Sequence, residues 1–248
     1  MTGGIRSSWV RALSWLVIGA GAILLLYVAY LMVWTNVLAS SAARGQVVEL
    51  ERTWRASSVA PATAAPPAPA LPAPAPGAGE AFALMSIPRL GEDWVQPVIE
   101  GSGSGGAADV DGSPGMHTGV GADDLRRGVV HYPSTALPGH VGNFAVAGHR
   151  ATNGEPFRDL DRMREGDAVV VLTGKERLTY RVTGTEIVSP RQVDILAPVP
   201  GRPGGMPDGK RLTLTTCHPR WSSDLRLIVF ATLTDRRTTP LSVGTSGR

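Results

Sequence analysis

A chain of 248 residues with 43% hydrophobic and 18% charged side chains holds one domain of moderate size with additional segments, and is too apolar to be disordered throughout. Its formal charge of +3 comes from 24 Lys and Arg against 21 Asp and Glu, dispersed along the chain and not gathered into a basic stripe, which argues against a nucleic-acid partner. A single cysteine, Cys217, excludes an internal disulfide and leaves a cysteine-based zinc framework without ligands, and with no clustered carboxylates for a calcium site, neither metal nor cofactor is expected.

In chain order, the first predicted element is a membrane anchor. No charged residue falls between 12 and 43, and 15–34 (WLVIGAGAILLLYVAYLMVW) is about as long as a bilayer-spanning helix requires, roughly 20 residues. Trp9, Trp15 and Trp34 lie near its ends, where indoles favour the interface. The run is longer than the apolar core of a cleaved signal peptide, so a retained anchor over 12–43 is expected, preceded by a short tail over 1–11. Arg6 and Arg11 precede the span and Arg44, Arg52 and Arg55 follow it, so local charge leaves its orientation open. A juxtamembrane segment and linker fill 44–81; within it 59–79 (VAPATAAPPAPALPAPAPGAG) favours polyproline II, a spacer of roughly 60 Å.

From Phe82 the pattern changes to short strands punctuated by Gly and Pro: FALMSIPRL, DWVQPVIE, NFAVAGH, DAVVVLT, RLTYRVTGTEIVS, KRLTLTTC and RLIVFATLT. They predict an all-β barrel or sandwich over 82–235, followed by a C-terminal tail over 236–248. Helix is confined to two short stretches, 121–128 (GADDLRRG) and 156–163 (PFRDLDRM), each expected to make about two turns. The Gly- and Ser-rich stretch 101–121 reads as a surface loop.

The chemistry centres on LTLTTCHPR (212–220). Alternation places Leu212 and Leu214 on one face of a strand and Thr213, Thr215 and Cys217 on the other, which favours an accessible thiol at the strand end. The following RLIVFATLT returns antiparallel, so Arg226 is expected beside Cys217, either to stabilise a thiolate or developing oxyanion or as a strand-edge charge. A cysteine nucleophile also needs a proton partner. Among the five histidines, His117 lies in the Gly-rich loop, His131 and His140 in Pro- and Gly-rich turns, and His218 points across the strand end. His149 closes FAVAGHR at a strand-to-loop junction like that of Cys217, and is the best candidate.

These residues carry a resemblance. TLTTC (213–217) resembles the TLxTC signature of sortases, the cysteine transpeptidases of Gram-positive surfaces; AGHR (147–150) resembles their histidine segment, and RLIVFA (226–231) their arginine strand. The wider pattern, from IPRLGEDWVQPVIEG through LRRGVVHYPSTALPG and GHRATNGEPFRDLDRMREGD to LAPVPGRPG, is similar to class E sortases of actinobacteria over 87–233. The resemblance implies an eight-stranded β-barrel with short helices, held outside the membrane by the N-terminal anchor. It implies Cys217 as nucleophile, His149 as general acid and base, and Arg226 as the oxyanion- or substrate-binding group. The substrate class it implies is a surface protein with an LAXTG-type signal cleaved between Thr and Gly. The acceptor would be a peptidoglycan stem amine or its lipid-linked precursor. Tyr132 is expected to help select Ala in the signal, or else to pack under a turn, and Thr216 to line the same groove. The connection 192–211, rich in Pro and Gly, is expected to wall that groove with turns. The Gly-rich loop and His140 depart from the family pattern, and Arg220 is a second arginine near the thiol.

Two other readings compete. An L,D-transpeptidase would carry glycine before its cysteine, and a papain-like hydrolase would place cysteine before histidine, whereas here histidine comes first. A stalked non-catalytic β-domain that binds the wall would instead bury Cys217 in an unreactive site.

Overall fold

The computed structural model describes residues 3–59, 75–103, 116 and 119–238. Most of the Pro/Ala tract, His117 and the greater part of the 101–121 loop lie outside them, as does the tail beyond 238.

Eight strands close into a barrel. They are β1 (Ala81–Ser86), β2 (Val95–Glu100), β3 (Val129–His131), β4 (Gly142–Ala147), β5 (Ala168–Leu172), β6 (Glu176–Val188), β7 (Lys210–His218) and β8 (Leu225–Thr238). Around the barrel the order is β1-β2-β3-β4-β7-β8-β6-β5. The β2–β3 and β4–β7 pairs are parallel and the other six antiparallel. Closure gives every strand a neighbour on each side.

Period-two alternation divides the strands that carry Cys217 and its neighbours into two faces. Phe144 and Val146 of β4, Leu212 and Leu214 of β7, and Leu227, Val229 and Ala231 of β8 point into the barrel and share one core. Their neighbours point outward, yet most are also buried. Val120, Leu125, Val130, Tyr132, Ala145 and Ala147 form a second cluster, and Met116, Val188, Ile195 and Ile228 a third, both on the outer wall. The β6–β7 connection covers this wall: Leu196 packs on both outer clusters. It contains one 3₁₀ turn, Val193–Leu196, followed by turns through Gly205 and extended chain up to β7.

Both expected helices shorten to a single turn. The first is α2, Ala122–Leu125, and the second only a 3₁₀ turn, Leu160–Arg162. The reason is visible in the packing, since Phe157, Leu160 and Met163 are all buried in the barrel core. A spacing of three suits the threefold repeat of a 3₁₀ turn better than the 3.6 of an α-helix.

The N-terminal helix α1 (Gly3–Val59) runs on past Ala43, where the anchor was expected to end. Its second half carries Glu49–Arg52 and Glu51–Arg55 ion pairs along its surface. The segment Arg11–Tyr30 is long and apolar enough to cross a membrane. Beyond it, Asn36, Ala39, Ser40, Ala43, Gln46, Val47, Leu50, Glu51 and Trp54 are the shielded positions among the described side chains, a stripe of helical period along which α1 lies over β1 and β2. Asn36 meets Gly154 and Glu155 at one end of the barrel, Gln46 accepts from Arg127 at 2.9 Å, and Trp54 packs on Gly174 at the other end. The β6–β8 ladder runs from Glu176↔Thr238 to Val188↔Arg226, so Gly174 lies at the end remote from Arg226. The barrel end that carries Cys217 therefore faces the apolar span.

Candidate active site

Three adjacent strands bring the three expected catalytic residues into one row. In the β7–β8 ladder Cys217 is the direct partner of Arg226. In the parallel β4–β7 ladder Ala147 pairs with Thr215, and the Gly148 amide continues it by donating to the Thr215 carbonyl at 3.1 Å. β4 ends at Ala147, and His149 follows two residues beyond it, as Cys217 follows two residues after Thr215. Cys217 and Arg226 belong to the outward set, since Cys217 follows Thr213 and Thr215 and Arg226 precedes Ile228 and Phe230; His149 comes just beyond the end of β4, whose outward residues are Asn143, Ala145 and Ala147. The thiol is free and half-buried, as an accessible nucleophile requires.

Arg226 is buried and locally anchored, donating to the Ser223 carbonyl at 2.7 Å and the Leu225 carbonyl at 3.0 Å. These bonds fix one end of the guanidinium fork beside the thiol. His149 is held from two sides: Asn153 Nδ2 lies 3.2 Å from its Nε2, and its carbonyl accepts from the Phe157 amide at 3.0 Å. Gly148, just before it, fits only as glycine, because a Cβ there would lie 2.6 Å from the buried Phe157 ring.

The other described histidines are engaged elsewhere. His131 belongs to β3, not to a turn, and points into the barrel. Its Nδ1 is 2.6 Å from Glu100, its register partner, and its Nε2 is 3.0 Å from Thr135 Oγ1 and 3.2 Å from the Ala136 carbonyl. His140 is exposed just before β4, at the end of the strand opposite His149. His218 Nδ1 accepts from Arg150 at 2.8 Å.

Tyr132 is buried beneath the site. Its hydroxyl donates to Thr215 Oγ1 at 3.0 Å, and Thr215 in turn donates to the Val146 carbonyl at 3.2 Å. Burial pushes the phenol up to about 12; the Thr215 hydrogen bond and the Arg226 charge oppose this, and the Cys217 charge adds to it. The hydroxyl thus stays neutral and lies within electrostatic reach of both Arg226 and Cys217. Thr216 differs from expectation. The pleat turns it inward with Leu212 and Leu214, away from the face of Cys217, and its hydroxyl donates to the Gly148 carbonyl at 2.8 Å. Arg220, the second arginine, pairs with Glu155 at 2.6 Å.

Several residues that position this row escaped the sequence reading. Asn143, fully buried, accepts from Thr213 at 2.7 Å and donates to the Ile195 carbonyl at 3.1 Å, pinning the β6–β7 connection to the outer wall. Arg150, 5% exposed, pairs with Asp161 at 3.1 Å and reaches the Cys217 carbonyl at 3.4 Å, joining the histidine and cysteine loops. Its place directly after His149 in GHR was the one available signal. A cleft of about 310 Å³ lies between the β6–β7 connection and the β6–β8 wall, lined by Glu186, Ile195 and Phe230 and by none of the three catalytic candidates.

A family profile described as a sortase domain matches residues 85–234. The chain is 34% identical over 229 residues to sortase SrtE1 of Streptomyces coelicolor, covering 92% of this chain and 58% of that relative's length. Among solved structures it is similar to sortase E from Streptomyces avermitilis, at 41% identity and a TM-score of 0.53, covering 65% of this chain and 92% of that one. It also resembles sortase E1 from Streptomyces coelicolor with a tripeptide in the active site, at 34% identity and a TM-score of 0.51, over 66% of this chain and 94% of that one.

Proposed function

The chain belongs to the sortase family, and we propose that it is a membrane-anchored cysteine transpeptidase of class E that attaches surface proteins to the cell wall. The observation that carries this reading is the row of His149, Cys217 and Arg226 on the outer face of three adjacent strand ends. A nucleophile, a proton carrier and a fixed cation placed together are what acyl transfer needs.

The steps follow from that placement. The Cys217 thiolate attacks the carbonyl carbon of threonine in an LAXTG-type signal, and the charge that develops on oxygen is met by the Arg226 guanidinium. As the Thr-Gly bond breaks, His149 gives its proton to the departing glycine amine, leaving a thioester on Cys217. An acceptor amine, from a peptidoglycan stem or its lipid-linked precursor, then attacks the thioester and loses a proton to His149. The thiolate leaves and the site is restored.

Tyr132 supports the floor of the groove from below, and its neutral hydroxyl fixes Thr215, the outward neighbour two residues before the nucleophile. In this reading it shapes the position that accepts alanine in the signal. Thr216 acts through Gly148 to set the end of β4 and does not touch substrate. The apolar segment Arg11–Tyr30 spans the bilayer, with 1–11 in the cytoplasm and the barrel outside.

The test is cleavage of an LAXTG-containing peptide by the full-length chain in detergent micelles, with and without a diamino-acid acceptor. Transpeptidation predicts a new Thr-acceptor amide whose yield rises with acceptor concentration. Cleavage that yields only the free threonine acid at every acceptor concentration would make the protein a hydrolase instead.

A further inference from the structure

The loop after His149 has an unusual backbone. Asn153, Gly154 and Glu155 take positive φ in succession, at 53°, 81° and 47°. Asparagine and glycine accept this region readily, but glutamate does not, and such a run persists only where surrounding contacts over-determine it.

Those contacts come from two other segments. Asn36, on α1, uses both ends of its amide: Nδ2 donates to Glu155 Oε1 at 2.8 Å, and Oδ1 accepts from the Gly154 amide at 3.1 Å. Arg220, three residues after Cys217, donates to the other Glu155 oxygen at 2.6 Å, and Arg158 stands at 3.5 Å. The Glu155 side chain is only 10% exposed. It is a hub that ties the histidine loop, the cysteine loop and the anchor helix together. Asn153, within the same left-handed run, lies against His149 Nε2. Small residues let the helix approach: a Cβ on Gly154 would lie 3.4 Å from Ala39 and 3.5 Å from Ser40.

We propose that Asn36 of the anchor helix is a positioning residue for the catalytic centre, holding the Asn153-Gly154-Glu155 turn that aims His149 at Cys217, so that activity depends on the docking of α1 against the barrel. Asn36 lies six residues beyond Tyr30, about 9 Å along the helix from the end of the apolar span. The latch thus couples the catalytic row to the part of the chain nearest the bilayer surface. The inference rests on the transpeptidase reading for its kinetic readout, but not for its chemical one.

The test uses the full-length chain in detergent micelles, comparing wild type with Asn36→Asp, Glu155→Gln and the double variant. Asn36→Asp sets a carboxylate against Glu155 and keeps the acceptor for Gly154. Adding Glu155→Gln restores a donor toward position 36 and an acceptor toward Arg220. In Asn36→Asp, kcat on an LAXTG-containing peptide is expected to fall about tenfold with KM unchanged, the effect of losing one charge-assisted contact. Iodoacetamide alkylation of Cys217 at neutral pH should slow by a similar factor, and the double variant should recover both to within about twofold of wild type. Unchanged kcat and alkylation in Asn36→Asp, or a double variant no better than the poorer single one, would overturn the proposal. If wild type does not cleave the peptide, the sorting-signal reading fails by itself, and the alkylation rates still decide the role of Asn36.

Discussion

Cys217 and Arg226 are direct partners across the β7–β8 ladder, with the guanidinium fastened to the carbonyls of Ser223 and Leu225. Antiparallel pairing sets the two side chains on one face, and the two carbonyl contacts set the direction of the fork. Both carbonyls are held by one guanidinium nitrogen, Nη1, which leaves the others for the thiol; lysine keeps the charge but has a single nitrogen to serve both ends. Arg226→Lys should therefore lower kcat about 10²-fold, the loss typical of one oxyanion-stabilising group. Steady-state peptide cleavage measures this, and a lysine variant within threefold of wild type would show that charge alone suffices.

Gly148 carries the second prediction. A methyl group there meets the Phe157 ring at 2.6 Å, and Phe157 is fully buried in the barrel core. Gly148→Ala must move either the ring or the end of β4, at about 1–3 kcal/mol. Thermal unfolding should show the lower stability, and activity should fall because His149 follows immediately. Adding Phe157→Leu should return part of the activity by making room for the methyl group.

How much of this was legible in the sequence depends on the range of the interaction. Leu212 and Leu214 against Thr213, Thr215 and Cys217 form a local alternation, and seven of the eight strands were readable in the same way. The strand that was missed, β3, is three residues long and bounded by Gly128 and Pro133, which read as turn signals. His131 was misplaced with it, because its partner Glu100 lies 31 residues away. Thr216 was assigned to the groove by adjacency to Cys217, whereas the pleat sends neighbours to opposite faces. Asn36 and Glu155 are separated by 119 residues, and no local pattern links them.

Asn143 should prove structurally costly to replace. Its amide serves the Thr213 hydroxyl and the Ile195 carbonyl in a fully buried setting. Asn143→Ala leaves both without that partner, a loss of about 1–3 kcal/mol for each unsatisfied group. It also frees the β6–β7 connection that covers the outer wall. Chemical denaturation should show the destabilisation, and KM for peptide should rise more than kcat falls.

Alkaline pH should expose the two buried phenols. Burial raises both Tyr132 and Tyr180 to about 12 in the folded state, above the ordinary phenol value of 10.0. The neutral form is favoured by folding, so their contribution to stability is complete below pH 10 and is lost as pH climbs from about 10 toward 12. An absorbance titration of phenolate should show Tyr132 and Tyr180 ionising late or together with unfolding. Tyr132→Phe should remove one late equivalent.

The central claim is a thioacyl-enzyme on Cys217, and intact-mass spectrometry of the full-length chain tests it most directly. The protein would be incubated in detergent micelles with an LAXTG-containing peptide and no added amine, beside Cys217→Ala. The account predicts a mass gain equal to the peptide fragment ending in threonine, present in wild type and absent from the alanine variant. No adduct and no cleavage, with a Cys217 that also resists alkylation in the folded protein, would contradict it and favour a non-catalytic wall-binding domain.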